Sequence, residues 1–434
     1  MVQASNKSYS PAKIRLAIAT LGCKTNLFES AVIAQSFEDY ELVEFSDDAD
    51  VYVINTCTVT NRTDYKSRNL IRKALAKKEE NPDVAVVVTG CYAQRSREDI
   101  LELGDIDYVV DNQAKLDIAQ ILKSRENCFR DIMEARDFAF KPARNMLEHT
   151  RAFQKIQDGC DFYCNYCAIP YARGHSRSAR YEDVILQANL FAEEGFKEIV
   201  LGGINVGLYR DGEKDLADVV QGISDIEKIK LVRISSIEPQ LLKGDLLPRI
   251  ARIPKLAPHF HIPLQSGCDE ILSAMGRRYD RNLVAELVAQ IKELFPLAAI
   301  GFDLICGYPG EDQARFEDTY QFLSSLPISY LHVFPYSMRK GTVAAKAKDQ
   351  VPNKVKSQRS RLLTALSAEK KKAYAELLIK EKAKISGVIE ISGEDGSELL
   401  SDHYLRLRVP QRFEQGEWVQ IVMDEAMGHS FILD

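Results

Sequence analysis

Residues 156–167 read Ile-Gln-Asp-Gly-Cys-Asp-Phe-Tyr-Cys-Asn-Tyr-Cys, which places Cys160, Cys164 and Cys167 at the spacing C-x3-C-x2-C. Three thiolates on one short loop can ligate three irons of a four-iron, four-sulfur cluster. The loop has no fourth cysteine, so one iron is left open to a ligand from outside the protein. A structural zinc site is the alternative, but such sites take four protein ligands. The spacing therefore predicts an iron–sulfur cluster on this loop.

A second set of three cysteines lies upstream, at regular intervals of 34 residues. Cys23, Cys57 and Cys91 each follow a continuous apolar, β-branched run, which is typical of a buried parallel strand. The carboxyl ends of such strands meet at one edge of a sheet, where ligands of open α/β folds bind. We therefore expect these thiols to converge and to hold a second cluster, again with one open iron. The alternative is three ordinary buried cysteines, which are common in protein cores.

Alternating strand and helix patterns divide most of the chain into two α/β regions. Residues 13–124 predict a doubly wound α/β domain, and the charged residues 125–150 predict a linker. Residues 151–370 contain six candidate strands with helical patterns between them, including Tyr181–Glu194 and Arg281–Leu294. Six βα repeats favour an open, partial (β/α)6 barrel rather than the closed eightfold one. The strands are expected at Phe153–Gln157, Glu198–Gly202, Leu231–Ser235, His259–Leu264, Ile300–Cys306 and Tyr330–Phe334.

The C-terminal residues 371–434 have a different pattern. Short candidate strands at Val388–Ser392, Tyr404–Val409 and Glu417–Met423 are separated by turn residues, as in a small β-barrel. The stretches Asp402-His-Tyr-Leu-Arg-Leu-Arg-Val and Gln415-Gly-Glu-Trp-Val-Gln-Ile resemble the TRAM domain, an RNA-binding barrel. Just before them, residues 339–384 carry 14 Lys and Arg against 4 Asp and Glu, whereas the whole chain has a net charge of −6. Such a basic segment predicts a nucleic-acid partner; the alternative is a solvated, charged helix.

Length and composition fit a multi-domain enzyme of the cytoplasm. The chain has 434 residues, and no apolar run has the length of a membrane helix. Nine cysteines without a disulfide-like framework favour a reducing compartment and metal binding. We interpret the cysteines outside the two sets, Cys128, Cys268 and Cys306, as structural thiols. His259 and His261 alternate on one face of a predicted strand, a pattern that is more often packing than metal ligation.

Several motifs together resemble the methylthiotransferase family of radical S-adenosylmethionine (SAM) enzymes, from about Ile14 to the C-terminus. Within the family, the resemblance is greatest to the MtaB branch, which modifies N6-threonylcarbamoyladenosine next to the tRNA anticodon. Besides the Cys160 loop, the motifs are Thr20-Leu-Gly-Cys-Lys-Thr-Asn, Asn55-Thr-Cys-Thr-Val-Thr, Thr89-Gly-Cys-Tyr-Ala-Gln, Ile169-Pro-Tyr-Ala-Arg-Gly-His-Ser-Arg-Ser, His261-Ile-Pro-Leu-Gln-Ser-Gly and Gly301-Phe-Asp-Leu-Ile-Cys-Gly-Tyr-Pro-Gly-Glu.

The resemblance implies a division of chemistry between two clusters and two SAM molecules. The cluster on Cys160, Cys164 and Cys167 would cleave one SAM to a 5′-deoxyadenosyl radical. The cluster on the upstream cysteines would hold the sulfur that a second SAM methylates before transfer to C2 of the adenine. A low-potential electron donor, a sulfur source and the anticodon arm of tRNA are the implied partners. No catalytic residue beyond the cluster ligands is assigned.

The same resemblance suggests which residues contact SAM. Tyr166 is placed to meet the adenine, while Gly202 and Gly203 would allow the methionyl group to approach the backbone. The sequence reads Gly-Gly-Ile where the superfamily commonly has Gly-Gly-Glu, so we assign the polar contact to Asn205 instead. The ribose and carboxylate contacts are assigned to residues at later strand ends, namely Ser235, Glu238 and Gln265. Each of these residues has a structural role as its alternative.

Two other functions fit the same sequence. One is the same chemistry on isopentenyladenosine in tRNA or on an aspartate of a ribosomal protein, which other branches of the family modify. The other is a non-catalytic RNA-binding protein that holds zinc instead of iron.

Overall fold

The structure, a computed structural model, describes residues 13–126 and 129–424, which form two compact units. The first unit runs to residue 143 and includes Asp158–Phe162 and Cys167–Arg177. The second contains Arg144–Gln157, Tyr163–Tyr166 and the chain from Ser178 onward. Cys128, residues 1–12 and the last ten residues of the predicted C-terminal domain lie outside the described part. Within that part, no helix combines the length and the apolar character that crossing a bilayer requires.

The first unit is built on parallel strands joined by helices. Its strands are β1 (Ile14–Thr20), β2 (Tyr40–Leu42), β3 (Val51–Thr56), β4 (Ala85–Gly90) and β5 (Tyr108–Val109). Its helices are α1 (Lys24–Gln35), α2 (Asn61–Glu80), α3 (Cys91–Arg95), α4 (Arg97–Leu101), α5 (Ile118–Ser124) and α6 (Ile169–Arg173).

These strands form one sheet in the order β2-β1-β3-β4-β5, and every neighbouring pair is parallel. Every residue of β3 and β4 is buried, which explains their continuous apolar sequence. Ile71 and Leu75 of α2 pack with Ile54 and Val88 in the core beside the sheet. The strand order reverses direction between β1 and β3, and ligands of open α/β sheets bind outside the carboxyl ends at such a reversal.

The second unit contains the remaining elements. Its strands before the C-terminal region are β6 (Ala152–Lys155), β7 (Gln157–Asp158), β8 (Arg177–Ser178), β9 (Glu198–Gly202), β10 (Leu231–Ile234), β11 (His259–Gln265), β12 (Ala299–Cys306) and β13 (Tyr330–Pro335). Its helices are α7 (Tyr181–Glu193), α8 (Leu216–Ser224), α9 (Pro239–Leu242), α10 (Leu246–Ile250), α11 (Asp269–Ala274), α12 (Arg281–Leu294), α13 (Gln313–Ser325) and α14 (Asn353–Lys380). β7 and β8 each have one residue in the first unit.

The six strands predicted for this region are all present, with bounds that shift by at most two residues. They form two three-stranded parallel sheets, β10-β9-β6 and β11-β12-β13. Only isolated parallel bridges, such as Ser236 with His261, connect β10 to the segment around β11 among the described residues. The predicted helices Tyr181–Glu194 and Arg281–Leu294 correspond to α7 and α12.

The C-terminal region is a four-stranded antiparallel sheet in the order β16-β15-β14-β17. The strands are β14 (Lys384–Gly393), β15 (Gly396–Ser401), β16 (Arg406–Val409) and β17 (Trp418–Val422). β15 was not predicted, because it follows a two-residue turn that reads as part of a longer acidic loop. β16 begins later than the predicted Tyr404, since Tyr404 has a φ of +63° and belongs to the turn before it. The long helix α14 runs through residue 371, where the predicted domain boundary falls.

This antiparallel sheet packs against the amino ends of the parallel strands of its own unit. Ala299, the first residue of β12, lies in the same apolar cluster as Ile385 and Leu399 of the sheet. The ring of His259, the first residue of β11, stacks on Tyr404 with centroids 4.5 Å apart. The sheet is therefore on the opposite end of these strands from the loops that follow their carboxyl ends.

Candidate metal centres

The structure brings together the three upstream cysteines at the carboxyl edge of the first sheet. Cys23 precedes α1, Cys57 follows β3, and Cys91 is the first residue of α3 after β4. Because β1, β3 and β4 are neighbours in the sheet, the turns that follow them converge. Cys57 and Cys91 are buried and Cys23 is exposed, so the group opens to one side.

Two glycines with positive φ shape this edge. Gly22, just before Cys23, has a φ of +98°, and a Cβ there would lie 2.6 Å from the sulfur of Cys57. Gly90, just before Cys91, has a φ of +96°, and its Cβ would lie 2.3 Å from the carbonyl oxygen of Thr56. A side chain at either position is excluded both by conformation and by space. The glycines thus let the cysteine-bearing turns approach each other.

The thiols interact electrostatically with one another. Burial, together with the smaller effect of the nearby thiols of Cys91 and Cys23, raises the pKa of Cys57 to about 12. Burial also raises the pKa of Cys91, while the guanidinium of Arg173 opposes that shift. Such thiols hold their protons until a metal displaces them, which couples metal binding to proton release.

Arg173 supplies the principal charge next to this group, from within the same unit. Its side chain is fully buried, and its Nε donates a hydrogen bond to the sulfur of Cys91 at 3.1 Å. Its Nη atoms donate to both carboxylate oxygens of Glu29, at 2.6 and 3.0 Å, and also approach Asp158 at 3.3 Å. A donor to sulfur favours the thiolate form that ligates iron, so the donor set fits a cluster.

A second buried cation balances the same carboxylate. Lys115 is fully buried, and its ammonium donates to Glu29 and, at 2.9 Å, to Asn112 Oδ1. One carboxylate between two cations, each with further partners, is a hydrogen-bonded network of the kind that buried charge requires. Arg173 lies within one of the sequence motifs, but the motif indicates no role for it, and no sequence pattern points to Lys115 or Glu29. The pattern of apolar and polar residues in the sequence does not distinguish a buried charged residue from an exposed one.

The three cysteines of the downstream loop, Cys160, Cys164 and Cys167, are half-buried. In the first unit, the amide of Cys160 donates to the carbonyl oxygen of Gly174 at 3.1 Å. In the second unit, Arg277 Nη1 donates to the sulfur of Cys164 at 3.2 Å. A cationic donor directed at a cysteine sulfur is again suited to a thiolate ligand. Arg277 was not predicted as a site residue.

Arg277 also organises two of the predicted SAM contacts. Its Nη1 lies 3.3 Å from the hydroxyl oxygen of Tyr166, and its Nη2 forms an ion pair with Glu238. Burial raises the pKa of Glu238, although Arg277 opposes the shift. The ring of Tyr166 packs edge-on against Tyr308, with centroids 6.4 Å apart. Glu238 therefore holds Arg277 beside the cysteine loop, and the contact of Tyr166 with an adenine stays a prediction.

In the turn after β9, the backbone at Gly203 lies close to the backbone of Gln157. A Cβ at Gly203 would lie 2.8 Å from the carbonyl oxygen of Gln157, whereas one at Gly202 would have ordinary contacts. The Oε1 of Gln157 accepts hydrogen bonds from the amides of Ile204 and Asn205, at 3.0 and 2.7 Å. Asn205 is buried, and neither its side-chain nitrogen nor its oxygen has a hydrogen-bond partner among the described residues. A buried amide without partners is costly, which is what a polar ligand contact would relieve.

Ser235 and Gln265 lie at the carboxyl ends of β10 and β11, as predicted from the strand pattern. The amide of Ser235 donates to the carbonyl oxygen of Leu201, which fixes the turn beside β9. Gln265 has a φ of +71°, where the register between β11 and β12 shifts. A non-glycine residue in this conformation is strained, and strain of this kind concentrates at functional sites.

Two of the remaining cysteines have structural surroundings. Cys268 is buried and its thiol donates to Glu270 at 2.9 Å, while Cys306 is buried beside the carbonyl of Lys356. Burial raises the pKa of Cys306 to about 12 and also raises that of Cys268. Both observations favour the interpretation as structural thiols.

Two family models match separate regions of the chain. The model of Uncharacterized protein family UPF0004 matches residues 15–111, and that of the Radical SAM superfamily matches residues 155–323. The chain is 38% identical over 419 residues to the threonylcarbamoyladenosine tRNA methylthiotransferase MtaB of Aquifex aeolicus, covering 94% of this chain and 100% of that protein. It is 34% identical over 390 residues to the tRNA-2-methylthio-N(6)-dimethylallyladenosine synthase of Bacillus subtilis, covering 85% of this chain and 76% of that one.

Among solved structures, the radical S-adenosylmethionine methyltransferase TsrM of Kitasatospora setae, with cobalamin and a 4Fe–4S cluster bound, has a TM-score of 0.58. It is 12% identical in sequence and covers 76% of this chain and 77% of that one, a likeness that concerns the fold alone. The 38% identity to the Aquifex enzyme, which extends over nearly the whole of both chains, is the stronger evidence for the family. The chain belongs to the methylthiotransferase family of radical SAM enzymes and is a transferase.

Proposed function

We propose that this enzyme adds a methylthio group to C2 of N6-threonylcarbamoyladenosine next to the anticodon of tRNA, using two SAM molecules and two 4Fe–4S clusters. The observation that carries the proposal is the 38% identity to the threonylcarbamoyladenosine enzyme of Aquifex aeolicus over its whole length. The lower identity and coverage of the dimethylallyladenosine enzyme favour this substrate over isopentenyladenosine. We also propose a cytoplasmic location, because tRNA would be the substrate, and an electron donor and a sulfur source as further partners.

The two cysteine sets would hold the clusters separately. Cys160, Cys164 and Cys167 would ligate the cluster that supplies an electron for SAM cleavage when bound, and Cys23, Cys57 and Cys91 would ligate the other. In the chain itself, Arg277 directs a cationic donor at the Cys164 sulfur, and Arg173 directs one at the Cys91 sulfur. Asn205 supplies unpaired polar atoms for SAM, next to the close approach at Gly203.

The finer fold assignment belongs to the same proposal. The strand order 2-1-3-4-5 supports a doubly wound domain over residues 13–124, and the six parallel strands support a partial (β/α)6 barrel over 151–370. The four antiparallel strands after residue 383 support a small TRAM-like module, although they pack on the barrel's strand ends as well.

The direct test is nucleoside analysis after anaerobic incubation with SAM, a reductant and threonylcarbamoylated tRNA. We expect 2-methylthio-N6-threonylcarbamoyladenosine from this tRNA, and no methylthiolated product from tRNA that carries isopentenyladenosine. Product from the latter tRNA alone would overturn the substrate assignment. A modified ribosomal-protein aspartate, detected by peptide mass spectrometry, would do the same.

The cluster assignment predicts a division of labour between two triple variants. Changing Cys160, Cys164 and Cys167 to Ala should leave about half of the iron and abolish 5′-deoxyadenosine formation. Changing Cys23, Cys57 and Cys91 to Ala should remove the other half, retain SAM cleavage and abolish methylthio transfer. Iron analysis and chromatography of the nucleosides measure both. Methylthiolated product from the second variant would contradict the proposal.

The same iron analysis distinguishes the proposed enzyme from the remaining alternative, a non-catalytic zinc protein that binds RNA. That protein would reconstitute with zinc, would lack the visible absorption of sulfide-to-iron charge transfer, and would release no 5′-deoxyadenosine.

A further inference from the structure

Three polar side chains on neighbouring strands converge on one face of the parallel sheet β11-β12-β13. They are His261 on β11, Asp303 on β12 and His332 on β13. Asp303 and His332 are direct partners in the strand register, and His261 pairs with the residue two positions before Asp303. Their ligand atoms all lie within 4.8 Å of one another, which no other group of three such residues achieves in the described part of the chain.

The distances within the group are short. His261 Nε2 lies 2.8 Å and His332 Nδ1 lies 3.3 Å from the same carboxylate oxygen of Asp303. The other ring nitrogen of His261 lies 3.2 Å from the hydroxyl of Ser236, across the bridge that joins the two parallel sheets. Metal-ligating histidines commonly have their second nitrogen oriented by such a partner. One histidine of the group is therefore already held in a ligating orientation.

A second histidine on the same strand shows what a purely structural role looks like. His259 is buried, bonds the hydroxyl of Tyr330 at 2.7 Å and stacks on Tyr404. By contrast, the side chains of His261, Asp303 and His332 are 15%, 21% and 40% exposed, so a small ligand can reach them. His259 thus has the packing role expected of both histidines, whereas His261 combines ring contacts to Tyr330 and His332 with its bond to Asp303.

We propose that His261, Asp303 and His332 form a binding site for one divalent first-row transition-metal ion. Two imidazoles and one carboxylate suit ions from Mn²⁺ to Zn²⁺, whereas Mg²⁺ prefers oxygen ligands and thiolate-bound clusters require cysteine. Three protein ligands leave coordination positions for water or for an oxygen atom of another ligand. The site holds no residue assigned to either cysteine set.

The test uses the full-length protein with its iron–sulfur clusters reconstituted, so that the cysteines are already occupied, and without tRNA. Mn²⁺ is added and the free ion is counted by its six-line electron paramagnetic resonance signal. We expect one Mn²⁺ per chain, displaced by Zn²⁺ and not by an equal concentration of Mg²⁺. Asp303→Asn and His332→Gln should each weaken binding at least about tenfold, since even changes to the partners of metal ligands cost that much.

Asp402→Asn is the matched control. Asp402 bonds His403 at 2.7 Å, in a pair of the same kind that belongs to no three-ligand group among the described residues. This variant should bind Mn²⁺ as tightly as the parent. Equal binding by the parent and by Asp303→Asn, no binding by the parent, or equal displacement by Mg²⁺ would overturn the proposal and leave a hydrogen-bonded His–Asp–His cluster only. Iron content and near-native circular dichroism of His332→Gln, whose side chain is partly exposed, confirm that the variant is folded.

Discussion

At the scale of single residues, Glu29 is the carboxylate that stabilises two buried cations inside the first unit. Glu29 has no exposed side-chain surface, and it is paired with Arg173 and Lys115, which have none either. The three charges leave water together, so the attraction among them must offset a large desolvation cost. The arrangement also holds the guanidinium that donates to Cys91. Removal of the central carboxylate therefore has consequences for both stability and the metal site.

We predict that Glu29→Gln lowers the free energy of unfolding by about 3–5 kcal/mol, because it removes the carboxylate that lies between two buried cations, of which Arg173 keeps its longer ion pair with Asp158. Denaturant titration followed by circular dichroism measures the loss. Glu38→Gln is the matched control, since Glu38 pairs with Lys123 at the surface, where both side chains are exposed. That variant should unfold as the parent does. Equal effects of the two substitutions would mean that the buried network contributes no more than a surface pair.

At the scale of elements, the turns after β1, β3 and β4 position the upstream cysteines, and two of them need a glycine, Gly22 before Cys23 and Gly90 before Cys91. We predict that Gly90→Ala removes the upstream cluster, and with it about half of the bound iron, because its Cβ would collide with Thr56. Gly195→Ala is the control: Gly195 has the same φ of +96° but no atom within 4 Å of the added Cβ. The control should keep all of its iron and lose only the modest stability that a strained alanine costs. A full iron content in Gly90→Ala would show that the close approach is dispensable.

The elements also show how far sequence reasoning reaches. The strands before Cys57 and Cys91 were predicted well because buried parallel strands are continuously apolar, and parallel topology then requires their ends to converge. β15 escaped prediction because Gly393 and Gly396 flank its tight turn, so glycine and acidic residues hid a strand boundary. Arg173, Arg277 and Asp303 escaped because their roles depend on partners that are distant in sequence. A buried charge is defined by tertiary contacts, and the sequence pattern of one element does not contain them.

At the scale of the whole molecule, only some of the basic residues in segment 339–384 are exposed to solvent. Of its fourteen cations, Arg339, Lys356 and Arg359 are buried, and Arg359 pairs with Glu311. Nine others are exposed, against four exposed acidic residues, so the attraction available to RNA is about half of the formal charge. The segment is also long, because the 28 residues of α14 extend about 42 Å. Its two ends therefore contribute to different regions of the surface.

The position of each end within the second unit decides which of them meets the tRNA near the reacting base. Ala344 packs in the same cluster as Tyr166, and its amide donates to the carbonyl oxygen of Asn165, within the cysteine loop. The lysines that follow it, Lys346, Lys348 and Lys354, are exposed. Lys380, Lys382 and Lys384 are equally exposed but lie where α14 meets the C-terminal sheet, at the amino ends of the parallel strands. In the proposed function, the target adenine reaches the carboxyl ends, where the cysteine loop lies.

We predict that changing Lys346, Lys348 and Lys354 to Gln weakens tRNA binding more than the same change at Lys380, Lys382 and Lys384. Each lost phosphate contact should reduce the salt dependence of the binding constant by about 0.7–0.9 logarithmic units per decade of salt. The binding constants of the two triple variants, which lose the same charge from the same segment, are measured across a salt series and compared. Iron content and uncoupled SAM cleavage should be unchanged in both, since neither triplet includes a proposed ligand. A larger loss from the second triplet would instead assign the principal RNA contact to the C-terminal sheet, which the TRAM resemblance implies. That outcome would require the anticodon arm to extend along α14 to reach the cysteine loop of the same unit.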